Sequence, residues 1–168
     1  MEELRKLAKT PAFRAEAEEA FFEAMLQGYV NGAEMVPVAG FPGFKMAPPY
    51  VRGPWTVGDP YVNSVLRLGS SGTTTIWFQD FPVWTMQYLG WYHKDAIPCL
   101  KAALRAAYEK KQFFAGRGPK HFEHEGFLYQ NTIDHGASFN GLFGCEETIY
   151  SPKGELMGGH TVQGMAKF

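Results

Sequence analysis

The sequence predicts an α+β domain built from two tandem helix-plus-antiparallel-sheet repeats that form one pseudo-symmetric unit. Three observations carry that expectation. Each half opens on an amphipathic helical stretch and closes on β-type segments, the first from Phe13 to Gly90 and the second from Ile97 to Gly164. Short matches recur at nearly constant separation: Thr75-Ile76-Trp77 with Thr148-Ile149-Tyr150 at 73 residues, Gly72 with Gly144 at 72, and Gly90 with Gly164 at 74. The drift fits small insertions at turns, where chains tolerate them. Aromatics make up 15% of the chain, with 14 Phe, 19 Gly and 11 Pro, a composition of short strands, many turns and aromatic packing. A chain of 168 residues suits one domain over 1–168, with repeat 1 over about 11–92 and repeat 2 over about 95–166.

Residues 2 to 9 suit a short leading helix. Thr10-Pro11 then starts the first main helix, because Thr caps and Pro fits a first-turn position whose N–H would be unpaired anyway. Phe13, Ala17, Phe21 and Ala24 recur at helical spacing, widened by Leu26 and Val30, and Asn31-Gly32 stops the helix. The stretch from Glu34 to Pro49 has too many Pro for a long helix or a central strand. Its Val36, Val38, Phe41, Phe44 and Met46 call for an ordered loop packed over the body, with one edge strand. Gly58-Asp59-Pro60 and Gly69-Ser70-Ser71-Gly72 read as turns. Thr73 to Phe78 is a β-branched and aromatic strand, and Val83 to Tyr92 another. In the latter, Trp84, Met86, Tyr88 and Gly90 share one face. Asp95 is the expected cap of the second main helix, with Pro98 in its first turn and a stripe of Ile97, Leu100, Leu104 and Tyr108. Gly116-Arg117-Gly118-Pro119 ends it. Strands follow over Phe127 to Thr132, Gly144 to Tyr150 and Glu155 to Met165, with Ser151-Pro152-Lys153-Gly154 as a hairpin-type turn.

The formal net charge of −1 gives no electrostatic reason to expect nucleic acid, and Lys110-Lys111 is ordinary chemistry for a helix end. The opening Met1-Glu2-Glu3 lacks the basic start and apolar run of a secretory signal. No apolar run approaches the ~20 residues of a membrane span. Cys99 and Cys145 are too few for a disulfide framework. These readings favour a cytoplasmic protein that keeps its thiols reduced.

Histidines and carboxylates are the candidate chemistry. His121-Phe122-Glu123-His124-Glu125, flanked by glycines, reads as a polar loop; its spacing matches no zinc pattern, so no metal is expected. The Gly90–Gly164 match sets His160 opposite Met86 and Val162 opposite Tyr88. A titratable group then joins the face of Trp84, Met86 and Tyr88, one pattern of a ligand site; a half-buried histidine bonded within the sheet fits equally. Glu146 and Glu147 sit in a strand, so one points inward and one outward. The inward carboxylate would pair with His160 as acid and base, or bind Arg117 in an ion pair. Neither a nucleophile elbow, nor a phosphate-binding loop, nor a dinucleotide fingerprint is present, so no cofactor is expected. The candidate ligand-binding set is Trp77, Trp84, Met86, Tyr88, Arg117, Glu146, Glu147 and His160.

Pro82-Val83-Trp84-Thr85-Met86-Gln87-Tyr88-Leu89-Gly90 resembles the Pro-Val-Trp-x-Met-x-Tyr-x-Gly signature of a bacterial domain family of unknown function. Members of that family also occur fused behind Cro/repressor-type helix-turn-helix domains. Arg117-Gly118-Pro119, Phe127-Leu128-Tyr129-Gln130-Asn131, Gly144-Cys145-Glu146-Glu147 and Gly159-His160 with Gly164 extend the resemblance, which covers roughly residues 20 to 165. The chain departs from the pattern at Thr74-Thr75, where the family has Gly-x-Glu. The resemblance supports the boundaries and implies no reaction. The expected function is binding of a small ligand or a partner protein on an aromatic-lined sheet face. The alternatives are a small metal-independent enzyme using a Glu/His pair, and a homodimer that buries the aromatic face.

Overall fold

Thr10 sits in extended backbone, and its hydroxyl accepts a hydrogen bond from the Phe13 amide at 3.3 Å. That cap and Pro11 start helix α2 (Pro11–Met25), which follows the short α1 (Glu2–Leu7). The structure, a computed structural model, describes residues 2–64 and 69–168. Phe13, Ala17, Ala20, Phe21, Phe22 and Ala24 form the buried side of α2. The helix then widens into a π-turn (Leu26–Val30), inside which Gly28 leaves helical geometry at φ −84° and ψ −122°. The third helix, α3 (Ile97–Glu109), follows a 3₁₀ turn over Lys94–Ala96. Asp95, the expected cap, lies inside that turn, which His93 caps by accepting from the Asp95 amide at 3.3 Å, and α3 itself starts after Ala96 without a side-chain cap.

Among the described residues, eleven strands form one antiparallel sheet. They are β1 (Val36–Pro37), β2 (Phe44–Met46), β3 (Tyr50–Arg52), β4 (Trp55–Gly58), β5 (Tyr61–Asn63), β6 (Ser70–Phe78), β7 (Phe81–Tyr92), β8 (His121–His124), β9 (Phe127–His135), β10 (Leu142–Tyr150) and β11 (Leu156–Ala166). The order is β1-β2-β5-β6-β7-β11-β10-β9-β8, with β3 paired to β4 and β4 to β6. The protein is thus α+β. The loop over 34–49 carries two short strands rather than one. Gly58-Asp59-Pro60 does not reverse the chain: Gly58 pairs with Thr75 and Tyr61 with Gly72, one continuing register interrupted at Asp59 and Pro60. Ser70, Ser71 and Gly72, read as part of a turn, already belong to β6. His121 to His124 is a strand and not a loop; its turn is tight, at Glu125 (φ 51°) and Gly126 (φ 80°).

The hairpin β6–β7 meets the hairpin β10–β11 along β7 and β11, in the middle of the sheet. There Gly90 faces His160, Tyr88 faces Val162 and Met86 faces Gly164. Each hairpin carries one register shift, after Ile76 in the first and after Ile149 in the second. One sheet face is covered. Val57, Thr74, Ile76, Trp84, Met86, Tyr129, Glu147, Ile149 and His160 are buried on it, while Gln87, Leu89, Glu146, Thr161 and Gln163 point away into solvent. α2 packs over β4 and β6, α3 over β8 and β9, and the two helices touch each other. Phe21 links the layers, with its ring centroid 5.1 Å from Trp84 and 5.8 Å from Tyr108 of α3.

Candidate functional site

A cavity of about 330 Å³ lies between the covered sheet face and the helices. That is the low end of the size range of small-molecule sites. Its helix side is apolar: Met25, Ile97, Leu100 and Leu104, with Tyr29 and Tyr108. Its sheet side is polar: Asp59, Ser70, Tyr88, Tyr92 and His160, with Arg117 from the loop after α3. Two glycines make room for this wall. A Cβ on Gly72 would collide with the Tyr88 hydroxyl, and one on Gly90 would press on His160 and on the Gly159 carbonyl. The Gly of the Pro82–Gly90 stretch is therefore a space for the imidazole.

Behind the wall stands a buried ion pair. Arg117 donates from Nε to Glu147 Oε1 at 2.9 Å and from Nη2 to the same oxygen. Tyr92 donates to Oε1 at 2.7 Å and Tyr129 to Oε2 at 2.7 Å. Burial alone would push the Glu147 carboxyl up. The Arg117 charge and the converging donors win and hold it well below the usual carboxylate range. Burial likewise opposes the Arg117 charge, but the Glu147 anion beside it raises the guanidinium well above its ordinary value. Glu147 is therefore a permanent anion that fixes Arg117, and the pair adds almost no net charge to the cavity.

His160 is 7% exposed and lies within a ring of partners. Nε2 is 2.9 Å from Ser70 Oγ. Its ring stacks on Tyr88 at 5.5 Å and meets Tyr92 edge-on at 4.7 Å. Nδ1 is 3.5 Å from Glu147 Oε1, too long for a hydrogen bond, and has no bonded partner among the described residues. Asp59 was missed in the sequence reading because Gly58-Asp59-Pro60 looks like a turn. Its Oδ1 accepts from Thr74 at 2.7 Å and from Tyr88 at 3.1 Å. Burial raises its carboxyl above the ordinary value, against the pull of those two donors and of Arg117. A carboxylate placed inside a β-branched, aromatic run was the available signal.

The remaining sequence candidates divide. Trp84 and Met86 are fully buried core residues. Trp84 donates from its indole to the Phe139 carbonyl at 3.1 Å and stacks on Phe139 and Phe143. Trp77 is half-buried, its ring beside Gly58. Glu146 is exposed on the outer sheet face, as the alternation of a strand requires. The face of Trp84, Met86 and Tyr88 is thus core at one end and cavity wall at the other. Among the described residues, no three His, Cys, Asp or Glu gather as metal ligands, and no helix is long and apolar enough to cross a membrane.

A family model for a domain of unknown function, DUF5680, matches residues 68–164, and the chain belongs to that family. The matched span holds Ser70, Tyr88, Tyr92, Arg117, Glu147 and His160, whereas Asp59 and the α2 side of the cavity precede it. No curated protein and no solved structure matches the chain.

Proposed function

We propose that this protein binds a small molecule with an apolar body and one polar end in the cavity between α3 and the sheet. One observation carries the reading: a single concavity sets an apolar wall, including Leu100 and Leu104, against a convergent polar wall of Asp59, Ser70, Arg117 and His160. Because Glu147 neutralises Arg117, the polar end is best matched by a neutral group that both accepts and donates hydrogen bonds. The test is a ligand-observed NMR screen of small neutral aromatic and aliphatic amides against the wild type, Ile97→Trp and His160→Ala. Ile97 is half-buried at the cavity, so Trp there fills space at modest cost to the core. Binding that is lost in both variants, with their folds intact, supports the proposal. Hits indifferent to both substitutions refute it.

An acid–base enzyme is the second reading, and it moves from Glu147 to Asp59. Glu147 is saturated by Arg117, Tyr92 and Tyr129, whereas Asp59 faces the cavity with a raised carboxyl. Deuterium uptake from solvent at the carbon next to the carbonyl of a bound amide, above the rate without protein and lost in Asp59→Asn, would favour it.

The frame itself we read as a duplication of a helix and a four-stranded meander. The meander β3-β4-β6-β7 runs parallel in sequence to β8-β9-β10-β11, and the register shifts after Ile76 and Ile149 fall 73 residues apart, at the separation of the sequence match. Tyr50 pairs with Val57 as Phe122 pairs with Tyr129, both 72 residues on. A cytoplasmic location is supported by two buried, unpaired cysteines. A protein partner or homodimer would instead use the outer face, where Leu89, Leu142 and Met165 are exposed, and light scattering would reveal the dimer.

A further inference from the structure

We infer that the ligand is elongated, and that its tail leaves the polar cavity for a second compartment beneath the 33–49 loop. The inference rests on the binding reading above and adds the class of ligand. The second compartment has a volume of about 500 Å³. Its own wall is mixed, with the apolar Ala24, Ala33, Met35, Ala47, Pro48 and Val57 beside the polar Gln27 and Tyr50. Met25, Tyr29, Asp59 and Tyr61 line both compartments, so the partition between them is one side chain thick. Tyr29 and Tyr61 meet across it edge-on, with ring centroids 6.4 Å apart.

The backbone explains why this space exists. Gly28 breaks from helical geometry inside the π-turn, so the end of α2 lifts from the path it would otherwise follow. The loop closes over the gap without filling it: its nearest atom to a Cβ built on Gly28 is Ala47 Cβ, at 3.8 Å. Small residues meet on both sides, and Met35, Ala47 and Pro48 of the loop line the compartment. With a neutral polar end held at Arg117, Asp59 and His160, an unbranched apolar tail is the shape that continues past Tyr29 and Tyr61. The ligand class is therefore a neutral amphiphile with a hydrogen-bonding head and a linear tail.

The experiment measures binding of butanamide, octanamide and dodecanamide by calorimetry to the wild type, His160→Ala, Ala47→Phe and Ala33→Leu. Butanamide reports the head site, and the longer amides report the tail. In the wild type, affinity should rise by up to about fourfold for each methylene the protein buries. Ala47→Phe should leave butanamide binding unchanged and flatten that rise. Ala33→Leu, at the other end of the same loop, should flatten it too and guards against a local fault at Ala47. Equal gains with tail length in the wild type and both filled variants overturn the inference, as does a wild type that gains nothing beyond butanamide; the head site survives either result. If no amide binds the wild type, or binding ignores His160→Ala, the head site fails and the inference falls with it.

Discussion

Glu147→Gln tests the account of the polar wall most directly. The substitution keeps the shape of the side chain and one carbonyl acceptor, but it removes the charge that faces Arg117. Glu147 is 1% exposed and the Arg117 side chain 8%, so water cannot replace the lost partner. Removing one member of such a pair costs about 3–5 kcal/mol, because the other charge is left buried and uncompensated. That is a large fraction of the ~5–15 kcal/mol by which domains are stable. With a urea slope of ~2 kcal/mol per molar, the unfolding midpoint should fall by about 1.5–2.5 M at pH 7. Far-UV circular dichroism would follow it, together with fluorescence of Trp84. The pH dependence sharpens the test. Folding depresses the Glu147 carboxyl below its ordinary 4.5, so its contribution is whole above pH 4.5 and drains as the pH falls below it. The gap between wild type and variant should therefore narrow in acid. A loss under about 1 kcal/mol at pH 7, or a gap that ignores pH, would show that the pair is neither dry nor closed, and the fixed-anion role of Glu147 would be wrong.

Asp59→Asn should do the opposite. Folding raises the Asp59 carboxyl above its ordinary 3.8, so the wild type loses stability as the pH rises through the folded value, and Asn escapes that loss. The variant should melt higher than wild type at pH 7, with the difference shrinking toward pH 3.8; a lower melting temperature at pH 7 would refute the buried-carboxyl reading. Trp84→Ala should cost about 3–5 kcal/mol in urea unfolding, since the side chain is 0% exposed and its indole bond to Phe139 is also lost. Cys145, fully buried with its thiol pushed up to about 12, should resist thiol reagents in the native state and react once urea unfolds the chain.

Much of the frame was legible because periodic patterns survive in single residues. The Phe13, Ala17, Phe21, Ala24 stripe of α2 and the alternation through Trp84, Met86 and Tyr88 carry their own geometry, and both faces came out as read. The misread pieces are those where local chemistry admits two structures. Gly58-Asp59-Pro60 has the composition of a turn, but long-range pairing of Trp55–Gly58 and Tyr61–Asn63 with one strand, β6, holds it extended. His121 to His124 looks like a polar loop because an edge strand with one solvated face is polar on alternate residues, here His121 and Glu123. At the site, His160 was singled out by the Gly90–Gly164 match, which equates it with Met86, whereas its strand partner is Gly90. Tyr92, Tyr129 and Asp59 were not, since each is an ordinary residue for its segment and acquires meaning only when four separate strands converge.

The two hairpins differ at the residues that line the cavity. In the first hairpin Thr74 lies opposite Met86; in the second Glu147 lies opposite His160. On the duplication proposed above these are equivalent pairs, and they flank the middle of the sheet, where Met86 faces Gly164 and His160 faces Gly90. A pair without an ionisable group on one side of the centre lets Trp84, Met86 and Phe143 close into core. A pair that includes a carboxylate on the other side keeps the interior polar, with Arg117 balancing Glu147. A second Glu/His pair in the first hairpin would have no second arginine beside it, and a buried carboxylate without a counter-ion carries a large desolvation cost. One polar pair with its own counter-ion is the arrangement that a folded core tolerates. On the proposed duplication, the residues that set the site are those at which the halves differ, and His160 was marked by that difference from Met86.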